Sequence, residues 1–156
     1  MIRPTLAQTR HFASEGYLVL PNAVTGDQLR WLQSAFERHA SETRVDWVEG
    51  VATGAKPGAF FDIPSPLDRD ARFVDLVDHP SYIGLLLSFS DDDLLFISPQ
   101  FRTVPPSPLS YVGWHYDVDR ENTPTHLKIQ LYIGDVDEEG GPFAYVPGSH
   151  KPHAGP

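Results

Sequence analysis

The sequence predicts an α+β fold in which a layer of helices packs against a β-sheet or jelly roll. Apolar residues recur at helical steps of three and four as far as about residue 90, and the period then changes to two. Fifteen prolines and twelve glycines in a chain of 156 residues also indicate many turns and short strands. We expect a single domain over residues 1–156, with a helical layer at 1–90 and strands at 93–150.

Two helices are predicted near the start of the chain. The first spans 5–15 and ends at Gly16, a residue type that is common just beyond a helix. A short strand is predicted at 17–20. Thr25 and Gln28 have the spacing of a capping box, which predicts the start of the second helix there. The core face of that helix is expected to contain Leu29, Leu32, Phe36 and Ala40.

A loop and two shorter helices complete the N-terminal layer. The loop is predicted at 43–66, where glycine and proline are frequent. One helix is predicted at 68–77 with Phe73 facing inward, and the other at 81–89, opening just after Pro80.

The second half of the chain is predicted to consist of strands. The clearest of them alternates apolar and polar residues over eight positions, with Leu127, Ile129, Leu131 and Ile133 on one face. Turn residues separate the strands, as at Gly140 and Gly141. The predicted strands span 94–97, 100–104, 111–117, 126–133 and 142–146.

Composition excludes several classes of function. The formal net charge of −9 makes a nucleic-acid partner improbable, because phosphate binding requires a basic face. The chain has no cysteine, so any metal site must use histidine, aspartate or glutamate and suits harder ions such as Fe(II) or Mn(II). No signal peptide or membrane-length apolar run is present in the sequence. A cytoplasmic location and no membrane partner are the default expectations.

His115 and Asp117 are the candidate metal ligands. Side chains two residues apart on a strand point to the same side, so this imidazole and carboxylate can reach one ion. They would form two corners of a 2-His-1-carboxylate triad, which leaves three coordination sites open. The His-x-Asp tripeptide alone is a weak signal, because a chain with 7 histidines and 14 aspartates contains it easily by chance. For the tripeptide alone, a partly buried histidine beside a turn-capping aspartate is the simpler alternative.

Two further motifs resemble the phytanoyl-CoA dioxygenase family. Beyond the His-x-Asp pair, 135–151 reads Asp-Val-Asp-Glu-Glu-Gly-Gly-Pro-Phe-Ala-Tyr-Val-Pro-Gly-Ser-His-Lys, an acidic turn and glycines leading into Val-Pro-Gly-Ser-His-Lys. Near the start, 12–21 reads Phe-Ala-Ser-Glu-Gly-Tyr-Leu-Val-Leu-Pro, which is similar to the opening of that family. Three motifs in the family's order extend the resemblance from residue 12 to residue 151.

The resemblance implies N-terminal helices packed on a double-stranded β-helix, a cupin-like jelly roll. It also implies Fe(II), 2-oxoglutarate as cosubstrate, O₂, and hydroxylation of a C–H bond in a small organic substrate. His115 and Asp117 fall on the family's first two ligand positions. Related halogenases carry a small residue at the second of these positions, so a carboxylate there favours hydroxylation.

Four other residues receive candidate roles from the resemblance or from their strand face. Gln100 lies in a Gln-x-Arg segment that in some relatives contacts 2-oxoglutarate, with a solvent-facing glutamine as the alternative. Lys128 is placed to attract a carboxylate of 2-oxoglutarate if its strand face lines the barrel, and is a surface residue otherwise. The histidine of Pro-Gly-Ser-His, His150, is expected to be a turn residue. His153 is a candidate for the third metal ligand.

The family's third ligand and its 2-oxoglutarate arginine have no matching position in the sequence. We therefore expect an N-terminal portion only, with 93–150 as the first half of a jelly roll that is incomplete at its C-terminus. Self-association through an open barrel edge and a degenerate relative that binds without turnover are the alternatives. The competing functions are a non-catalytic jelly-roll binding module and a different cupin enzyme. The 156-residue chain by itself is expected to release no succinate.

Overall fold

The computed structural model of the protein describes residues 2–90, 93–105, 112–118 and 126–151. Four α-helices are present in this part of the chain: α1 (Leu6–Glu15), α2 (Gly26–Ala52), α3 (Pro66–Arg69) and α4 (Ile83–Phe89). A 3₁₀-helix, η1 (Ala71–Leu76), lies between α3 and α4. Two short strands, β1 (Phe61–Asp62) and β2 (Arg102–Thr103), pair antiparallel, with Asp62 opposite Arg102. An α+β fold is therefore confirmed.

Helix α1 has the predicted bounds because both of its ends are defined by local residues. The Thr5 side chain accepts a hydrogen bond from the Gln8 N–H, and the Gln8 side chain accepts from the Thr5 N–H. This reciprocal pair is a capping box. At the other end Gly16 has a φ of 85°, a left-handed conformation that glycine adopts without steric cost.

Helix α2 extends to Ala52, so the loop predicted from residue 43 was wrong over its first ten residues. The hydroxyl of the buried Thr43 donates to the His39 carbonyl at 2.8 Å, which satisfies it inside the helix. The indole of Trp47 lies 5.8 Å from the Phe61 ring, centroid to centroid. This contact with a distant residue helps to hold the last turns of α2, and no local pattern in the sequence could show it.

The capping box predicted at Thr25 was also wrong. Thr25 precedes α2 but its side chain makes no capping hydrogen bond. Gln28 instead accepts a hydrogen bond from Nε2 of the buried His79 at 3.0 Å, because Nδ1 of that ring accepts the Ser81 N–H. A tertiary contact between α2 and the turn before α4 has replaced the local cap.

The core lies between α2 and η1. Leu32, Ala35 and Phe73 form its buried centre. The predictions for Leu32 and Phe73 are thus confirmed, although residues 71–76 form a 3₁₀-helix. The partly buried residues around this centre are Trp31, Leu67, Leu76, Phe101, Leu131 and Ile133.

Most of the strand predictions were wrong, in contrast to the helix predictions. Within the described residues, 17–20, 94–97, 112–117, 126–133 and 142–146 form no strand. Alternating hydrophobicity indicates which side chains favour burial, but a strand also needs a hydrogen-bonding partner for its backbone. The prediction that one side of 126–133 is buried is confirmed in part. Leu127, Leu131 and Ile133 are partly buried, while Ile129 and the alternate polar residues are exposed. None of the helices in the described ranges is both long and apolar enough to cross a membrane.

A turn at residues 147–150, here called the 147–150 turn, docks on the C-terminal end of α1. The Gly148 N–H donates to the Glu15 carbonyl at 2.8 Å, and His150 Nε2 lies 3.3 Å from the Ala13 carbonyl. These contacts satisfy carbonyls that a helix end leaves without intrahelical partners. His150 is therefore a turn residue, in agreement with the expectation from the sequence.

Gly16→Ala is expected to lower the free energy of unfolding by about 2–4 kcal/mol, through left-handed strain and overpacking. A Cβ at Gly16 would lie 2.3 Å from His150 Nδ1 and 2.4 Å from the Tyr145 hydroxyl. Gly54→Ala is the matched control, because Gly54 also has a positive φ but a Cβ there meets nothing within 4 Å. Chemical denaturation compares the two variants, and equal losses would contradict the docking role of Gly16.

Candidate metal centre

His115 and Asp117 lie together on the segment 112–118. Their side chains are 56% and 44% exposed, so the pair faces solvent within the part that the structure describes. His115 Nδ1 is 2.7 Å from the carbonyl oxygen of Gly113. A carbonyl can only accept, so Nδ1 must carry the proton of that hydrogen bond. In the neutral ring Nε2 is then left with its lone pair, as a metal ligand requires.

The lone pair of Nε2 is directed towards Asp117. Nε2 and Asp117 Oδ1 are 3.2 Å apart. In the neutral imidazole both atoms are acceptors, and they attract only if a cation or a second ring proton lies between them. Two ligands of one ion at right angles, with metal–ligand bonds of about 2.1 Å, are about 3 Å apart. The donor types and their spacing therefore fit a divalent metal, and they fit an imidazolium–carboxylate pair equally well.

Asp117 has a second partner through its other oxygen. The ammonium of Lys128 donates to Oδ2 at 3.0 Å. This hydrogen bond is the main reason that the pKa of Asp117 lies below its ordinary value, while burial acts in the opposite direction. The carboxylate is consequently ionised at neutral pH, which both a metal ligand and an ion-pair partner require.

The other candidates from the sequence are not in this group. Gln100 is exposed and does not contact His115 or Asp117 through any hydrogen bond found among the described residues. His153 lies outside the described residues. Within the residues that the structure describes, no three histidine, aspartate or glutamate side chains come together in a way that could hold a metal. The structure therefore brings together His115, Asp117 and Lys128 and leaves the third ligand unassigned.

The sequence analysis gave no role to Arg102 and Asp62. The Arg102 guanidinium donates to both carboxylate oxygens of Asp62 at 2.8 Å and lies 3.7 Å from the centroid of the Phe60 ring. Asp62 is the main cause of a raised pKa of Arg102, burial opposes it, and Asp117 contributes further. Strand β2 thus places the Arg102 guanidinium, already paired with Asp62, near enough to Asp117 for the two charges to interact. Forty residues separate this pair, so no local pattern could have joined them.

Two surface depressions in the described residues lie away from this centre. One is lined by Asp27, Gln28, Trp31, Arg72 and Asp75. The other lies between α1 and residues 17–19. Neither includes His115, Asp117 or Lys128, whose side chains are each more than a third exposed.

A family model described as phytanoyl-CoA dioxygenase matches residues 12–156. No curated protein and no solved structure showed a significant match to the chain. The family match begins within α1 and covers α2, α3, η1, α4, β1, β2 and the candidate metal centre.

Proposed function

The chain belongs to the phytanoyl-CoA dioxygenase family, and on that premise we propose that it is an Fe(II)- and 2-oxoglutarate-dependent oxygenase. Members of the family generally use Fe(II) and 2-oxoglutarate. We propose hydroxylation of a C–H bond in a small organic substrate as the reaction. The observation that carries the proposal is the pair formed by His115 Nε2 and Asp117 Oδ1, 3.2 Å apart with the Nδ1 proton held by Gly113.

The bound ion, with 2-oxoglutarate and O₂, would supply the oxidant, and 2-oxoglutarate would leave as succinate and CO₂. His115 would bind the ion through Nε2, and the Gly113 carbonyl would fix the orientation of the ring. Asp117 would bind through Oδ1. We propose that the third ligand comes from outside the described residues, with His153 as the candidate within this sequence.

Gln100 and Lys128 remain the proposed contacts for 2-oxoglutarate. The exposed side chain of Gln100 leaves its amide available to a ligand. The ammonium of Lys128 already binds Asp117, which gives it a further role that is argued below.

The proposed architecture is a jelly roll of the double-stranded β-helix type, on which the helical layer packs, with 93–150 as its first half. The partly buried positions of Leu131 and Ile133 against the helical core support it. Self-association through an open barrel edge belongs to the same proposal, because Leu95 and Ile97 are 88% and 73% exposed in an apolar segment suited to strand pairing. A cytoplasmic location, the default expectation from the sequence, is also part of the proposal.

Calorimetric titration with 2-oxoglutarate, with and without Mn(II) as an O₂-stable substitute for Fe(II), tests the proposal. Binding of 2-oxoglutarate is expected only to the metal-loaded protein, because the keto acid chelates the ion. Succinate is the matched control ligand: it lacks the keto oxygen and is expected to bind at least about tenfold more weakly, a difference of 1.4 kcal/mol. Equal binding with and without metal would contradict the proposal.

An assay of succinate release with Fe(II), 2-oxoglutarate and O₂ then separates the enzyme from a binding module. Release that stops when any one component is omitted would establish the oxygenase. Metal-dependent binding of 2-oxoglutarate without any release would agree with the expectation for the 156-residue chain by itself, and it would not favour a non-catalytic relative.

A further inference from the structure

The carboxylate of Asp117 is divided between two partners. Oδ1 faces His115 Nε2 at 3.2 Å, and Oδ2 accepts from the Lys128 ammonium at 3.0 Å. The two partners come from separate segments, 112–118 and 126–151, so the Asp117 carboxylate links one segment to the other. Lys128 is 41% exposed, so this ion pair adds little to stability and its importance lies in its geometry.

This division matters for a metal because a carboxylate can bind an ion through one oxygen or through both. A facial triad keeps three coordination sites open only if its carboxylate uses a single oxygen. If Oδ2 of Asp117 also turned to the ion, it would take one of the sites that a chelating keto acid and O₂ need. An ammonium that already occupies Oδ2 prevents this.

We propose that Lys128 is a positioning residue that restricts Asp117 to one metal bond, through Oδ1. The role rests on the proposed function, because it has meaning only if His115 and Asp117 share an ion. It differs from direct binding of 2-oxoglutarate, because the contact of Lys128 is with the carboxylate of Asp117, the proposed metal ligand.

The positive charge of Lys128 has a second effect on the same site. A monovalent cation hydrogen-bonded to one oxygen repels a divalent ion on the other oxygen of the same carboxylate. Lys128 therefore weakens metal binding while it keeps a coordination site open. Its removal should make the metal bind more tightly and leave fewer exchangeable sites.

The test compares Lys128→Met, which keeps the length of the side chain and removes its charge, with Lys128→Arg, which keeps the charge. Mn(II) is the probe: its dissociation constant is measured from the electron paramagnetic resonance of the free ion. The number of water molecules on the bound ion is measured from water-proton relaxation. Lys56→Met is the matched control, because the Lys56 ammonium also makes a hydrogen bond, to the Asp46 carbonyl in α2.

We expect Lys128→Met to bind Mn(II) about tenfold more tightly and with one fewer bound water, because Oδ2 replaces a water. Lys128→Arg and Lys56→Met should match the wild type in both measurements. Mn(II) affinity and hydration that are unchanged in Lys128→Met, or weaker binding by it, would overturn the inference.

Failure of the proposed function gives a different pattern. If His115→Ala binds Mn(II) as tightly as the wild type, the metal centre itself is wrong, and the role of Lys128 falls with it. If His115→Ala loses Mn(II) while Lys128→Met behaves as wild type, only the role of Lys128 is overturned.

Discussion

Alanine in place of His115 is expected to lower the affinity of the protein for Mn(II) or Fe(II) by roughly a hundredfold or more. The substitution removes Nε2 and leaves a single carboxylate oxygen of the two donors that the structure brings together. Loss of an outer partner of a metal ligand already costs about 10–100-fold, so loss of the ligand itself should reach or exceed that range.

The matched control for this prediction is His126→Ala, the same change at an exposed histidine outside the candidate centre. Metal titration followed by electron paramagnetic resonance would measure both variants against the wild type. His126→Ala should keep the wild-type affinity. A His115→Ala protein that retains full affinity would rule out this metal centre, whichever other histidine bound the ion.

Phe73→Ala is expected to lower the free energy of unfolding by about 3–5 kcal/mol, through lost burial and the cavity that remains. The Phe73 side chain is fully buried, and its ring contacts the rings of Trp31, His39 and Phe101 at centroid distances of 5.4, 5.8 and 4.5 Å. Small domains are stable by only about 5–15 kcal/mol, so this one change would remove a large share of that stability.

Phe143→Ala is the control for Phe73, because the same ring is removed from a residue that is 58% exposed. Urea denaturation should show little change for Phe143→Ala, within about 0.5 kcal/mol of the wild type. Comparable losses in the two variants would mean that the interface between α2 and η1 is not the centre of the core.

The sequence predicted best those features that depend on neighbouring residues. Helix α1 was placed correctly because Thr5, Gln8 and Gly16 define its ends within one turn of the chain. His115 and Asp117 were brought together because two residues of separation suffice for their side chains to meet. In both cases the deciding contacts are local.

Features that depend on distant partners were missed. The last turns of α2 pack against Phe61 through Trp47. Gln28 accepts a hydrogen bond from His79 and does not form the predicted capping box. Hydrophobic alternation predicted the partly buried side of 126–133, but it cannot supply the backbone partner that a strand needs, and this described segment forms no strand. Arg102 and Asp62 form the clearest omission, because their ion pair exists only through the register of β1 on β2.

The docking of the 147–150 turn has a consequence for biosynthesis. The imidazole that reaches the Ala13 carbonyl is contributed by a residue 137 positions further along the chain. At translation speeds of about 5–20 residues per second, a ribosome needs roughly 7 to 27 seconds to make that length. Throughout this interval the carbonyls of Ala13 and Glu15 lack the partners that the 147–150 turn later provides. The helix that is synthesised before α2 therefore acquires its final contacts after α2 is complete.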